Sequence, residues 1–159
     1  MKKGLILSFF LLFGIVILSG CSGKILTTTQ KQLPSLNKNK TITITLYALK
    51  NYTDTPRAGK RAANIVEGVL SAKGYKINFV PTADKGDDVA EKSEYYMNGA
   101  VSEWRYKTGI DGEPAVALRL ALYDTKTGKL VWSSVGSNND WGNGSIGTTA
   151  QALIEDMFQ

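Results

Sequence analysis

The chain contains one cysteine, and where it stands constrains everything that follows it. Lys2 and Lys3 open the sequence, an apolar run broken only by small residues extends from Gly4 to Leu18, and Ser19-Gly20 leads directly into Cys21. A charged start, an apolar middle and small residues at the end are the three regions of a secretory leader. The run is shorter than the roughly 20 apolar residues of a stable membrane-spanning helix and lacks flanking anchors. Residues 1–20 are therefore expected to leave as a signal peptide. A cysteine consumed at the cut leaves no thiol for a disulfide, although an exported compartment would permit one. The mature chain has to be held by a hydrophobic core.

Cys21 in this setting resembles the lipobox of bacterial lipoproteins, whose thiol takes up lipid before the bond on its N-terminal side is broken. The resemblance implies lipidation of Cys21 and anchorage on a membrane. Ser22 stands where an aspartate commonly retains such proteins in the inner membrane, which implies the outer membrane, with the domain facing the periplasm. From Ser22 to Lys40 a threonine run, Pro34 and Asn37-Lys38-Asn39-Lys40 show no sustained periodicity, so residues 21–40 read as a lipidated cysteine and flexible tether. Residues 41–159 have the size of one domain. Removal of Lys2 and Lys3 lowers the formal charge of +5 by two, too weak a bias for a nucleic-acid partner.

Periodicity within 41–159 predicts an α+β domain. Ile42, Ile44 and Leu46 alternate with threonines over Thr41 to Leu49, the pattern of a half-buried strand. Thr55-Pro56 then reads as a helix N-cap with proline at the first helical position, and Ala58, Ala62, Ile65, Val66, Val69 and Leu70 recur at helical spacing up to Gly74. Tyr75 to Val80 reads as a second strand, and Asp87 to Ser93 as a short acidic helix with a solvated face. Three strand-like runs follow, Tyr95 to Lys107, Pro114 to Asp124 and Lys129 to Asn138, forming an antiparallel meander. Val116, Leu118, Leu120 and Leu122 mark its buried face. Asp124-Thr125-Lys126-Thr127-Gly128 suits a hairpin loop whose glycine takes a positive φ. Ile146, Ala150, Leu153, Ile154, Met157 and Phe158 form the apolar stripe of a closing helix, Ser145 to Phe158. The expected order is β-α-β-α-β-β-β-α, with the helices packed on the sheet.

Catalysis has little to stand on. The chain has no histidine, no cysteine beyond Cys21 and no Gly-rich phosphate loop of recognised spacing. No cofactor or metal is implied. Asp111 and Glu113 lie two apart on a loop, without the distant paired acid that a glycosidase requires. A binding or assembly role remains.

A family resemblance rests on Gly99-Ala100-Val101-Ser102-Glu103-Trp104-Arg105-Tyr106-Lys107, Gly109-Ile110-Asp111-Gly112-Glu113-Pro114-Ala115-Val116 and Asp124-Thr125-Lys126-Thr127-Gly128-Lys129-Leu130-Val131-Trp132-Ser133. With the Asn51-Tyr52-Thr53-Asp54-Thr55-Pro56 turn and the Trp141 segment, these words resemble PelC, the outer-membrane lipoproteins of the Pel exopolysaccharide export system. The strand-turn-strand ending in Val131-Trp132 is shared more loosely with the periplasmic domain of curli-secretion channel proteins. The resemblance implies a dodecameric ring beneath the outer membrane, working with the PelB β-barrel and its periplasmic repeats. The cargo would be Pel polysaccharide, a cationic amino-sugar polymer. Asp111, and after it Glu113, match the family's acidic loop and would become a circle of negative charge by symmetry. Asp111-Gly112 is equally a common turn former.

Trp141 sits among Asn138, Asn139, Asp140, Gly142, Asn143 and Gly144, too polar a neighbourhood to bury it locally. Its match to the family's tryptophan ahead of the last helix implies contact with the inner leaflet of the outer membrane; packing within the domain or against a neighbour is the alternative. Trp104 and Trp132 lie in strands and read as core or subunit-interface residues. Arg57, Lys60 and Arg61 oppose the dipole of the first helix, so either a neighbour's acids or solvent must compensate them. Two other readings stay open, a monomeric envelope lipoprotein that activates a cell-wall synthase and a curli-type secretion subunit. The second would need long membrane-spanning strands that no segment here is free to supply.

Overall fold

The computed structural model describes residues 25–30, 32–34, 41–82, 92–107, 112–140 and 144–159. In chain order they form β1 (Ile25–Gln30), β2 (Thr43–Tyr47), β3 (Lys50–Asn51), α1 (Ala58–Ala72), β4 (Lys76–Val80), β5 (Tyr95–Arg105), β6 (Ala115–Asp124), β7 (Leu130–Asn139) and α2 (Ile146–Met157). One sheet runs β1-β7-β6-β5-β2-β4, with β3 paired to β5. The α+β class holds, while the order differs from the expected one by the two added strands β1 and β3. The acidic helix expected over Asp87 to Ser93 falls almost wholly outside the described residues; Lys92 to Glu94 form turn and bend.

The meander is present as β5-β6-β7, antiparallel throughout. The rest of the sheet is not. β2 pairs in parallel with both β4 and β5, so the sheet is mixed. The reason is the connection: β2 reaches β4 through α1, and a crossover of that length returns the chain in the same direction. β1 corrects the reading of residues 21–40 as a tether throughout. Ile25 to Gln30 pair with β7 in antiparallel register, Ile25 opposite Asn138 and Gln30 opposite Ser133. Thr27 donates to Asp156 on α2 at 2.6 Å, and Thr29 bonds Ser134 at 2.9 Å. Farther along, the Tyr75 hydroxyl donates to the carbonyl of Pro34 at 2.9 Å.

Both helices lie on one face of the sheet. Ile44, Leu46, Met97, Val101 and the predicted Val116, Leu118, Leu120 and Leu122 meet Val66, Leu70, Leu153 and Ile154 there in a single core. Burial of each large side chain contributes about 1.5–3 kcal/mol, and this core is the source of cohesion the cysteine count demands. α2 is capped as its sequence allows: the Ser145 hydroxyl accepts from the Thr148 N–H at 3.2 Å, and the Thr148 hydroxyl in turn accepts from the Ser145 N–H at 2.9 Å. Gly128 takes φ 66° in the β6–β7 turn, as the hairpin loop requires.

The start of α1 differs from expectation. Thr55 does not cap it; its hydroxyl donates to the Trp104 carbonyl at 2.8 Å and ties the turn to β5. The helix begins at Ala58 behind Arg57, which sits in the left-handed region at φ 62° with no side-chain cap. Asn51 organises the approach by accepting from the Thr53 N–H and hydroxyl and donating to the Thr55 carbonyl.

The opposite face of the sheet is covered only in part. Across β2, β5 and β6, Tyr47, Tyr96 and Tyr123 form a ladder, the last two stacked with ring centroids 5.0 Å apart. Buried Thr45 and Ser93 bond beneath it at 2.7 Å. Toward β1 the face carries small residues and is open, with Tyr52, Val135 and Leu26 exposed at 67%, 54% and 52%.

Candidate functional site

Strand register brings the strand ends that flank the candidate residues to one end of the sheet. Arg105 at the end of β5 lies opposite Ala115 at the start of β6, Ala115 lies opposite Asn139 at the end of β7, and Asn138 lies opposite Ile25 at the start of β1. The β5–β6 loop, the β7–α2 loop and the incoming N-terminal segment therefore all join the sheet at this end. Asp111 belongs to the first loop, Trp141 to the second and Cys21 precedes β1 by four residues. All three lie outside the described residues, whereas their flanks are fixed.

Glu113 is described. Its Oε1 accepts from Asn139 Nδ2 at 3.1 Å, holding the loop against β7, and Asp140 N–H donates to the Pro114 carbonyl at 3.2 Å beside it. Glu113 Oε2 is buried with no hydrogen-bond partner among the described residues. The Oε1 bond is what holds Glu113, while a buried unmatched carboxylate oxygen costs free energy. Nothing in the sequence singled out Asn139; its role follows only from the β6–β7 register. Gly144 approaches Asp140 so closely that a Cβ there would meet the carboxylate, which narrows the turn leading into α2.

Trp104 and Trp132 are both in the core of a single chain, 4% and 1% exposed. Trp132 stacks on Phe158 at 5.0 Å, joining β7 to the end of α2. Trp104 Nε1 is buried without a partner among the described residues. Of the three cations at the start of α1, Arg57 and Lys60 are solvent-exposed. Arg61 donates to the Tyr106 hydroxyl and lies 6.0 Å from that ring's centroid, a contact across to the end of β5 that sequence spacing does not reveal. A neighbouring ion pair joins Arg105 and Glu103 at 3.3 Å, both exposed.

Among the described residues no group of three or more acids, cysteines or histidines could hold a metal ion. No described helix is long and apolar enough to cross a membrane. What is described of this end is its flanks: Gly112 to Pro114 ahead of β6, Asp140 after β7 and Ile25 at the start of β1.

No protein-family model and no curated protein matches the chain. Solved structures do. A leucine-to-methionine variant of PelC from Paraburkholderia phytofirmans, described as a dodecamer, is 32% identical, covers 83% of this chain and 95% of its own, and superposes with TM-score 0.72. A second PelC dodecamer from the same organism is also 32% identical, covers 85% of this chain and 94% of its own, and gives 0.69. A lipoprotein from Neisseria meningitidis shares the fold at 17% identity, with 73% of this chain and 97% of its own covered and a TM-score of 0.54. The identity and near-complete overlap with the two Paraburkholderia structures place this chain in the PelC family.

Proposed function

We propose that the mature protein is a non-catalytic lipoprotein, anchored through Cys21 in the inner leaflet of the outer membrane and facing the periplasm, whose copies form a ring that assists export of the cationic Pel polysaccharide. The observation that carries this reading is membership, at 32% identity, in a family with members solved as dodecamers. The strand ends that flank the Cys21, Trp141 and Asp111 segments lie at one end of the sheet, which supports it, since lipid, indole and acid would then all face the membrane side. Partners in this reading are the PelB β-barrel and its periplasmic repeats, which receive the polymer from the ring.

The mechanism is electrostatic. A polymer of repeated positive charge is drawn to a circle of carboxylates without being held tightly, because each contact is solvent-screened and the attraction is shared among copies. One acid per subunit is enough once symmetry repeats it. Asp111 at the loop tip supplies that charge, while Glu113 keeps the loop attached to β7 through Asn139. Trp141 sets the ring against the leaflet beside the lipid.

The test is Asp111→Ala in cells that make the polymer. Secreted polymer should fall several-fold while the purified lipidated protein keeps its assembled mass. Normal secretion with intact assemblies would remove the acid circle from the mechanism.

A further inference from the structure

A sheet with helices on one side has to dispose of its other side. When that side faces water, its strands show apolar-in, polar-out alternation. Over β6 and β7 the outward positions run otherwise: Ala117, Ala121 and Val135 face out with Ser133 and Ser137, and Arg119 is the single charge. Leu26 of β1 and Tyr52 stand at the two sides of this floor. Two depressions of about 420 and 140 Å³ lie in it and share Arg119 and Val135. Arg119 is exposed and forms no ion pair with a described residue.

On the far side of the domain the seam between α1 and α2 holds a depression of about 260 Å³, lined by Ile65, Gly68, Val69, Ala72, Gln151 and Glu155. Gly68 and Ala72 open it: a Cβ on Gly68 meets nothing within 4 Å. Glu155 is exposed at its rim.

We infer that the open sheet face of one copy seats against the α1–α2 seam of the next, with Val135 and Leu26 entering the seam and Arg119 facing Glu155. This rests on the ring reading. A closed ring needs two different, complementary surfaces on each copy, whereas a two-fold dimer pairs a surface with itself. The sheet face and the helix seam are on opposite sides of one two-layer domain, so copies stacked through them follow one another like wedges. In a ring of twelve, as in the related structures, each copy turns by about 30° from the last. The two surfaces also carry opposite charge, Arg119 on one and Glu155 on the other, and the exposed Val135 and Leu26 would meet the half-buried Ile65 where Gly68 and Ala72 leave space.

The experiment uses the full lipidated chain in detergent and reads its assembled mass, with circular dichroism as the folding check. Val135→Arg places a long cation on an exposed strand position. Gly68→Arg fills the seam where the monomer has open space and where helix propensity favours any residue over glycine except proline. Each variant alone should be a folded monomer. Mixed, they should form a dimer of one copy each, because Val135→Arg retains its seam and Gly68→Arg retains its sheet face. Rings that survive either substitution, or a mixture that stays monomeric, overturn the pairing. A wild-type protein that is itself monomeric in this preparation overturns the ring reading, and the pairing with it.

Discussion

At the scale of the residue, Asp124 shows how a turn can tune an acid. The Thr127 N–H donates to its Oδ1 at 2.7 Å and the Thr127 hydroxyl at 2.8 Å, and Lys126 adds its positive charge. These hydrogen bonds, the backbone one first, hold the Asp124 carboxyl below its ordinary value. A depressed folded-state value means stability present above the unfolded value and lost as pH falls through the folded one. Melting temperature followed from about pH 6 down to pH 2 should therefore drop less steeply in Asp124→Asn than in wild type. Gly59 is constrained by space: a Cβ there would run into the Leu49 carbonyl where α1 passes the β2–β3 corner. Gly59→Ala should cost about 3 kcal/mol in denaturant unfolding. The sequence shows that Gly128 serves a turn, because its neighbours are turn formers. It does not show why Gly59 is glycine, since the obstructing carbonyl comes from another element. Thr55 misled for the same reason. Thr-Pro before an apolar period is a cap signature, yet its hydroxyl is taken by the Trp104 carbonyl, a partner 49 residues away.

Elements with strong periodicity were legible: α1, α2 and the strands β5, β6 and β7 fall within a few residues of their expected bounds. β1 was not, because Thr27-Thr28-Thr29 carries no alternation of apolar and polar residues. Its strand character comes from the free edge of β7, which accepts it through backbone bonds and the Thr29–Ser134 contact. The parallel pairing of β2 was likewise invisible, since a period of two is the same for either strand direction. α2 tests how much a local cap contributes. Ser145→Ala removes the acceptor for the Thr148 N–H and should lower stability by about 1 kcal/mol, read by chemical denaturation. Because Trp132 stacks on Phe158, the loss should also appear in tryptophan fluorescence near the transition.

For the whole molecule, candidate residues could be picked from the sequence by type, whereas the strand ends that flank them could not be placed together from it. Asp111, Glu113, Trp141 and Cys21 are spread over 120 positions of sequence, and only strand register shows that the strand ends flanking them lie together at one end. If that end faces the bilayer, Trp141→Ala should weaken flotation of lipidated rings with phospholipid vesicles, by about 1–2 kcal/mol per copy. Undiminished flotation would assign Trp141 to packing instead. The position of β1 has a mechanical outcome as well. A load at Ile25 directed along β1 would strain all six residue pairs with β7 together instead of peeling them one at a time. Its partner strand lies more than a hundred residues downstream, so this grip cannot close before the chain through β7 is free to fold. The chain thus fastens its own mooring only once the strand it moors to is in place.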